Sequence, residues 1–185
     1  SLAPMANGGV AVFYRGDAPR DMMLLTSRSG DTWRNHGSIG GFNWQIRACP
    51  HVGGAIATRG NAIHALAWNG KDEQYGLYHI GSGDAGNTWS RPRKLGFDDA
   101  RNADLAVSSE GHLHAVWDEA GTLRSTIQKS RSTDGGQSWS PSERVGAGAD
   151  VSYPRLAATQ HGIAVLWLAG SPRRGASIVV NGKTL

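Results

Sequence analysis

The chain repeats itself at intervals close to 50 residues, and a repeat of that period restricts it to an array of small, similar supersecondary units. Four segments are alike: NGGVAVFYRG from Asn7, NAIHALAWNG from Asn61, GHLHAVWDEA from Gly111 and HGIAVLWLAG from His161. Each is a turn signal, a short alternating apolar run, an aromatic residue and another turn signal. Tyr14, Trp68, Trp117 and Trp167 are expected at equivalent places, and these aromatics lie 54, 49 and 50 residues apart.

A second motif follows each of the first three segments by about 20 residues. SGDAGNTW covers Ser82, Asp84, Gly86, Thr88 and Trp89, and STDGGQSW covers Ser132, Asp134, Gly136, Ser138 and Trp139. TSRSGDTW, from Thr26 to Trp33, is a degraded copy with Arg28 where the others have Asp. The pattern S-x-D-x-G-x-[ST]-W makes sense as a turn. The Asp accepts hydrogen bonds from its own backbone, the Gly permits an angle closed to other residues, and the Trp buries a ring beside the turn. That is a folding device joining two strands of a hairpin, so a catalytic or metal role is not needed to explain these carboxylates. Three Trp close boxes and three sit on strands, which leaves Trp44 unexplained.

Around these motifs each unit reads as four antiparallel strands. An inner strand appears in GGAIAT, ADLAVSS and PRLAATQ, the second carries the aromatic, the third leads into the box and the fourth follows it. Four strands per unit is the blade of a β-propeller. The blades are expected at about 1–50, 51–101, 102–151 and 152–185 of a single all-β domain. The last has an inner strand, a second strand and a third in ASIVVNG, but no box. That gives about three and a half blades and about 15 strands, part of a ring of six or seven. An open arc would leave an apolar face in water, so a second chain or second copy is expected to complete the ring.

Composition removes several other classes. With 26 Gly and 7 Trp but only 18% charged residues, the chain favours short strands and tight turns. The net charge of +4 is mild and no Lys/Arg run forms a nucleic-acid stripe. No apolar run is long enough to span a bilayer. The opening SLAPMANGG lacks the charged-then-apolar layout of a secretory signal. Cys49 is the single cysteine, so no internal disulfide forms.

The two full boxes, with strand signatures such as HAVW, resemble the sialidase-type Asp-box (BNR) propellers over nearly the whole chain. RDMMLLTSRSGDTW followed by FNWQIRACPHVGGAIA is also similar to uncharacterised bacterial sialidase-family proteins with a W-x-I-x-x-C-P-H segment. The resemblance implies an exported protein, periplasmic or extracellular, and a ligand face opposite the boxes. Sialidases of that family hold a carboxylate with three arginines and use a Tyr activated by a Glu, an Asp acid/base and an F/Y-R-I-P motif. Here the nearest string is Tyr153-Pro154-Arg155, in the wrong order, and Glu occurs only at Glu73, Glu110, Glu119 and Glu143. The catalytic set does not carry over residue by residue.

The face opposite the boxes collects the loops from the second to the third strand and from one unit to the next. They bring Arg15, Arg20, Arg47, Arg101, Arg155, Arg173 and Arg174, with Asp17, Asp21, Asp72, Glu73, Asp118 and Glu119. Guanidinium forks suit a carboxylate or sulfate, hence a carbohydrate or other anionic ligand. Solvated loop charge is the plain alternative. Arg20, Asp21, Trp44, Arg47, Arg101 and Arg155 are the ligand-binding candidates, with Arg20-Asp21 readable as an internal ion pair or a ligand clamp. The longest loop, from Gly37, holds Trp44 and ends in Cys49-Pro50-His51 as it enters an inner strand. Cys49 and His51 would share one side of an extended strand, as two soft ligands for copper or zinc. A buried thiol with a hydrogen-bonded His is the alternative. His64 and His114 occupy matching strand positions, with His112 two residues before the latter, which reads as structure. Three functions follow: a ligand- or partner-binding scaffold, an exo-sialidase or related glycoside hydrolase completed by the rest of the ring, or a metal-binding exported protein.

Overall fold

The computed structural model describes residues 1–6, 8–160, 162–170, 177–181 and 183–184. Among these there is no helix; the chain folds as two compact units, Ser1–Leu95 and Gly96–Leu185, each holding two four-stranded antiparallel sheets.

In the first unit one sheet runs β1 (Leu2–Pro4), β2 (Val10–Arg15), β3 (Met22–Ser27) and β4 (Arg34–Ser38). The next runs β5 (Ala55–Arg59), β6 (Ala62–Asn69), β7 (Gly76–Ser82) and β8 (Arg93–Leu95). Period-2 alternation sends Ala11, Phe13 and Leu24 of one sheet against Ile56, Ile63, Ala65 and Ile80 of the other. Polar bonds close the same seam: Ser1 Oγ donates to the Gly54 carbonyl at 2.9 Å, and Arg15 Nη2 to those of Val52 at 2.8 Å and Trp68 at 3.1 Å.

In the second unit the sheets are β9 (Ala100–Val107), β10 (Leu113–Ala120), β11 (Ser125–Ser132) and β12 (Glu143–Gly148), then β13 (Val151–Thr159), β14 (Gly162–Ala169), β15 (Ser177–Val180) and β16 (Lys183–Thr184). Val116 and Ile127 meet Val151, Val165 and Trp167 across the seam. Gly146 is required there, because a Cβ would lie 2.8 Å from the Trp167 ring. The Leu156 N–H donates to Asp104 Oδ2 at 2.8 Å, tying neighbouring inner strands.

Two expectations change. The fourth sheet has its outer strand, so the described residues form four four-stranded sheets and 16 strands, where about three and a half blades and 15 strands were expected. No box joins β15 to β16. Asn181 follows β15, and the sequence there reads Asn-Gly, a signature of two-residue hairpins. The Asn181 N–H donates to the Val165 carbonyl at 2.8 Å, while its Oδ1 accepts from the Val165 N–H at 2.9 Å. Secondly, Trp68 and Trp117 are not equivalent. His64 stands opposite Gly81 and His114 opposite Arg131, one residue before each box, which puts Trp68 in register with Asp118. A one-residue difference on a strand reverses the face.

The two boxes fold alike. Asp84 Oδ1 accepts from Ser82 Oγ and the Thr88 N–H, both at 2.8 Å, and its Oδ2 from Thr88 Oγ1 at 2.7 Å. Asp134 does the same with Ser132 and Ser138. Gly86, at φ 86°, sends its N–H back to Ser82 Oγ. In the degraded copy nothing replaces the carboxylate. The Gly30 N–H donates to Ser27 Oγ, a hydroxyl one position later than in the full boxes, and Trp33 is left 45% exposed. Thr26 bonds His36 Nε2 at 2.8 Å, and His36 Nδ1 reaches the Gly86 carbonyl of the next sheet at 2.9 Å.

Two sets of groups make the fold acid-sensitive. The backbone and hydroxyl donors of Thr88 hold the Asp84 carboxyl at about 2, and those of Ser138 pull Asp134 down as well. Such carboxylates stabilise the fold above their unfolded pKa, near 4, and cease to as pH falls through the folded value. His64 and His79 stack in the second sheet with Nδ1 and Nε2 3.3 Å apart. Burial lowers the pKa of His64, and burial together with the charges of His64 and Arg93 pushes His79 down to about 3. The unfolded chain takes up these protons below roughly 6.5 and the folded chain does not, so stability falls from there toward pH 3. Thermal melts followed by circular dichroism are expected to show Tm falling in both ranges. His79→Leu should flatten the arm between pH 6.5 and 4, and Asp84→Asn with Asp134→Asn the arm below 4.

Candidate ligand site

Antiparallel order sends successive connections to alternate ends of a sheet. In each sheet that has a box, the connection from the second to the third strand, and the one leaving the fourth, therefore lie at the end away from the box. Every ligand-binding candidate lies on these connections or at the strand ends beside them.

In the first unit, Arg20, Asp21 and Trp44 come together. Asp21 is 2% exposed. Its Oδ2 accepts from Ser38 Oγ at 2.6 Å and the Asn43 N–H at 2.8 Å, its Oδ1 from the Trp44 N–H at 2.9 Å. Arg20 pairs with Asp17 at 3.1 Å, not with Asp21, and its N–H donates to the Trp44 carbonyl. The Arg20-Asp21 step thus braces the long loop, and no ion pair joins the two side chains. Trp44 is buried edge-on to Trp68 at 5.4 Å, with the Arg15 guanidinium 5.5 Å from its ring. Arg15 also donates to the Arg20 carbonyl at 2.6 Å. Desolvation lowers its pKa to about 10, yet it stays charged at neutral pH and is spent on three carbonyls.

Arg47 is exposed. Cys49 and His51 depart from expectation: both are exposed in irregular chain, and the inner strand begins only at Ala55. Pro50 cannot donate to a ladder and Gly53-Gly54 follow, so the extended pairing starts late. The thiol is therefore not buried, and the shared strand face does not exist. Among the described residues, no three His, Cys, Asp or Glu gather as a metal site. Arg173 and Arg174 lie outside the described residues.

The second unit assembles a different group. The β9–β10 ladder is irregular between Val116 and Asp118, and the β13–β14 ladder between Ser152 and Arg155. Asn102 and Tyr153 sit there in left-handed backbone at φ 49° and 53°, which is uncommon outside glycine. Asp118 holds both places, accepting from Asn102 Nδ2 at 2.9 Å and from the Tyr153 N–H at 3.0 Å. Burial raises its pKa, while those bonds and the charges of Arg101 and Arg155 act the other way. Arg101 is the ladder partner of Asp118 on β9, and Arg155 follows by two residues the Tyr153 whose N–H Asp118 accepts. Arg101 Nε also donates to the Asp99 carbonyl at 3.3 Å, and Arg155 Nη1 to that of Pro154 at 2.8 Å. Tyr153 lies between them in sequence and is 52% exposed. Bulges beside functional sites re-aim side chains in this way. The sequence places Asp118 on this face only as one of several loop charges and does not single out Tyr153, because a bulge leaves no compositional mark when its residue is not glycine.

Residues 2–166 match the model of the BNR repeat-like domain. No curated protein matches the sequence. Among solved structures, a GH43_12 protein retrieved from a capybara gut metagenome is similar over 100% of this chain and 40% of its own, with TM-score 0.68 and 13% identity. Hadza microbial sialidase Hz136 is similar over 98% of this chain and 43% of its own, with TM-score 0.66 and 15% identity. Trypanosoma rangeli sialidase, in complex with sialic acid, is similar over 98% and 35%, with TM-score 0.62 and 15% identity. The chain spans less than half the length of these three, and at such identities the likeness is one of fold.

The brace at Asp21 gives a direct expectation. Asp21→Ala strands two backbone N–H groups and a hydroxyl, at a cost of about 3 kcal/mol. Hydrogen exchange should quicken across residues 39–54 while β9–β14 keep their protection. Unchanged exchange in that loop would remove Asp21 as its anchor.

Proposed function

The chain belongs to the BNR repeat-like family, with sialidase-like β-propeller blades, and from that premise we propose that it is a binding scaffold for an acidic saccharide. The group at Asp118 carries the reading. Arg101 and Arg155 offer guanidinium forks for a carboxylate or sulfate, and exposed Tyr153 offers a ring face for a sugar. Asp118 is committed to Asn102 and the Tyr153 N–H, which suits an anchor better than a proton donor and favours binding over hydrolysis. The family resemblance supports an exported setting, and no helix among the described residues is long and apolar enough to cross a membrane. Leu166 and Leu168, 40% and 37% exposed on β14, alternate with buried Val165 and Trp167. That outer apolar face, and the partial span of the matched structures, support further blades from a second copy or another chain.

Titration calorimetry with sialyllactose, a sulfated disaccharide and neutral lactose tests the reading. The acidic sugars should bind and lactose should not. Arg101→Ala or Arg155→Ala should each weaken binding by roughly ten- to a hundredfold, the size of a lost charge-assisted bond. Absence of binding to either acidic sugar, or binding indifferent to both replacements, overturns the site. Turnover of a fluorogenic sialoside that is lost in the same variants would instead make the protein a glycoside hydrolase.

A further inference from the structure

The same seam of the second unit opens at its opposite end, beside the box, into a cleft of about 770 Å³. That is within the range of small-molecule sites, roughly 300–1,000 Å³. One wall is the β10–β11 face, where His114 stands opposite Arg131 and Val116 opposite Lys129. The floor is apolar, from Leu156, Ile163 and Val165 of the neighbouring sheet.

Each carboxylate that lines this cleft has a basic neighbour. His112 Nδ1 lies 3.1 Å from Glu110, and Lys129 Nζ 3.3 Å from Glu143. Arg131 has no acidic partner among the described residues; its N–H is bonded to Ser140 Oγ. Burial, then the charges of Arg131, His112 and Lys129, lower the pKa of His114, so that ring is neutral near pH 7. One guanidinium without an ion-pair partner therefore lines a cleft whose floor is apolar.

We propose that this cleft binds a small organic monoanion, a carboxylate carried on an apolar body, with Arg131 taking the carboxylate and Leu156, Ile163 and Val165 the body. A singly charged fork-compatible group matches one free guanidinium. A dianion would have to break the Lys129–Glu143 pair. The site is separate from the one at Asp118 and does not depend on it.

Fluorine NMR with 4-fluorobenzoate tests this, using 4-fluorobenzyl alcohol as the neutral counterpart. The acid should bind at least tenfold more tightly than the alcohol. Arg131→Gln, an exposed replacement expected to leave Tm unchanged, should reduce binding of the acid at least tenfold. The Arg101→Ala/Arg155→Ala double variant should bind it like the parent. No binding, equal binding of acid and alcohol, or binding that survives Arg131→Gln overturns the proposal. Binding lost only in the double variant assigns the acid to the other end of the seam and overturns it too.

Discussion

A four-stranded sheet has two faces, and in this chain both are apolar over much of their width. Neither can be left in water, so no sheet here is stable alone, and each must lie against another. The first unit meets that demand with Phe13 and Leu24 against Ile63 and Ile80, the second with Val116 and Ile127 against Val165 and Trp167. Each such side chain contributes roughly 1.5–3 kcal/mol on burial, and the polar groups are arranged around that fact.

Apolar contact sets which faces meet but hardly fixes how far one sheet slides on the next. Directional bonds across the seams do so. Asp21 gathers the loop that leads to the second sheet, Arg15 pins it further along, and His36 ties one box turn to another. In the second unit Asp104 and Asp118 take N–H groups of the following inner strand. Asp21 and Asp118 are buried and the others partly so, and removing the partner of a buried group costs more than the bond itself contributes. Residues that look like ligand contacts in a list of loop charges are in several cases such fasteners.

The blades were legible in the sequence because they rest on local chemistry. The boxes, the Gly/Asn turns and the period-2 runs lie within a few residues of what they determine. Asn181-Gly182 is equally legible as a hairpin signal, but without a box it does not by itself imply a further outer strand. The register of Trp68 against Trp117 is not legible, since strand pairing decides the faces and the aromatic positions alone do not show it. The site was read more coarsely still. Its end of the sheets and the pair Arg101 and Arg155 could be named from topology. Their convergence on Asp118 depends on two bulges, and the cleft at Arg131 on which charges find partners across strands. The strand expected to align Cys49 and His51 begins only at Ala55, after Pro50 and two glycines.

Asp118 and His114 project from the same side of β10, four residues or roughly 13 Å apart at strand rise. Between them Val116, with Ile127 alongside, is sealed against Val165 and Trp167. That greasy bulkhead keeps water and ions at one end from reaching the other. The third sheet is accordingly a two-ended part: the residues at either tip can drift through evolution independently while the middle is held.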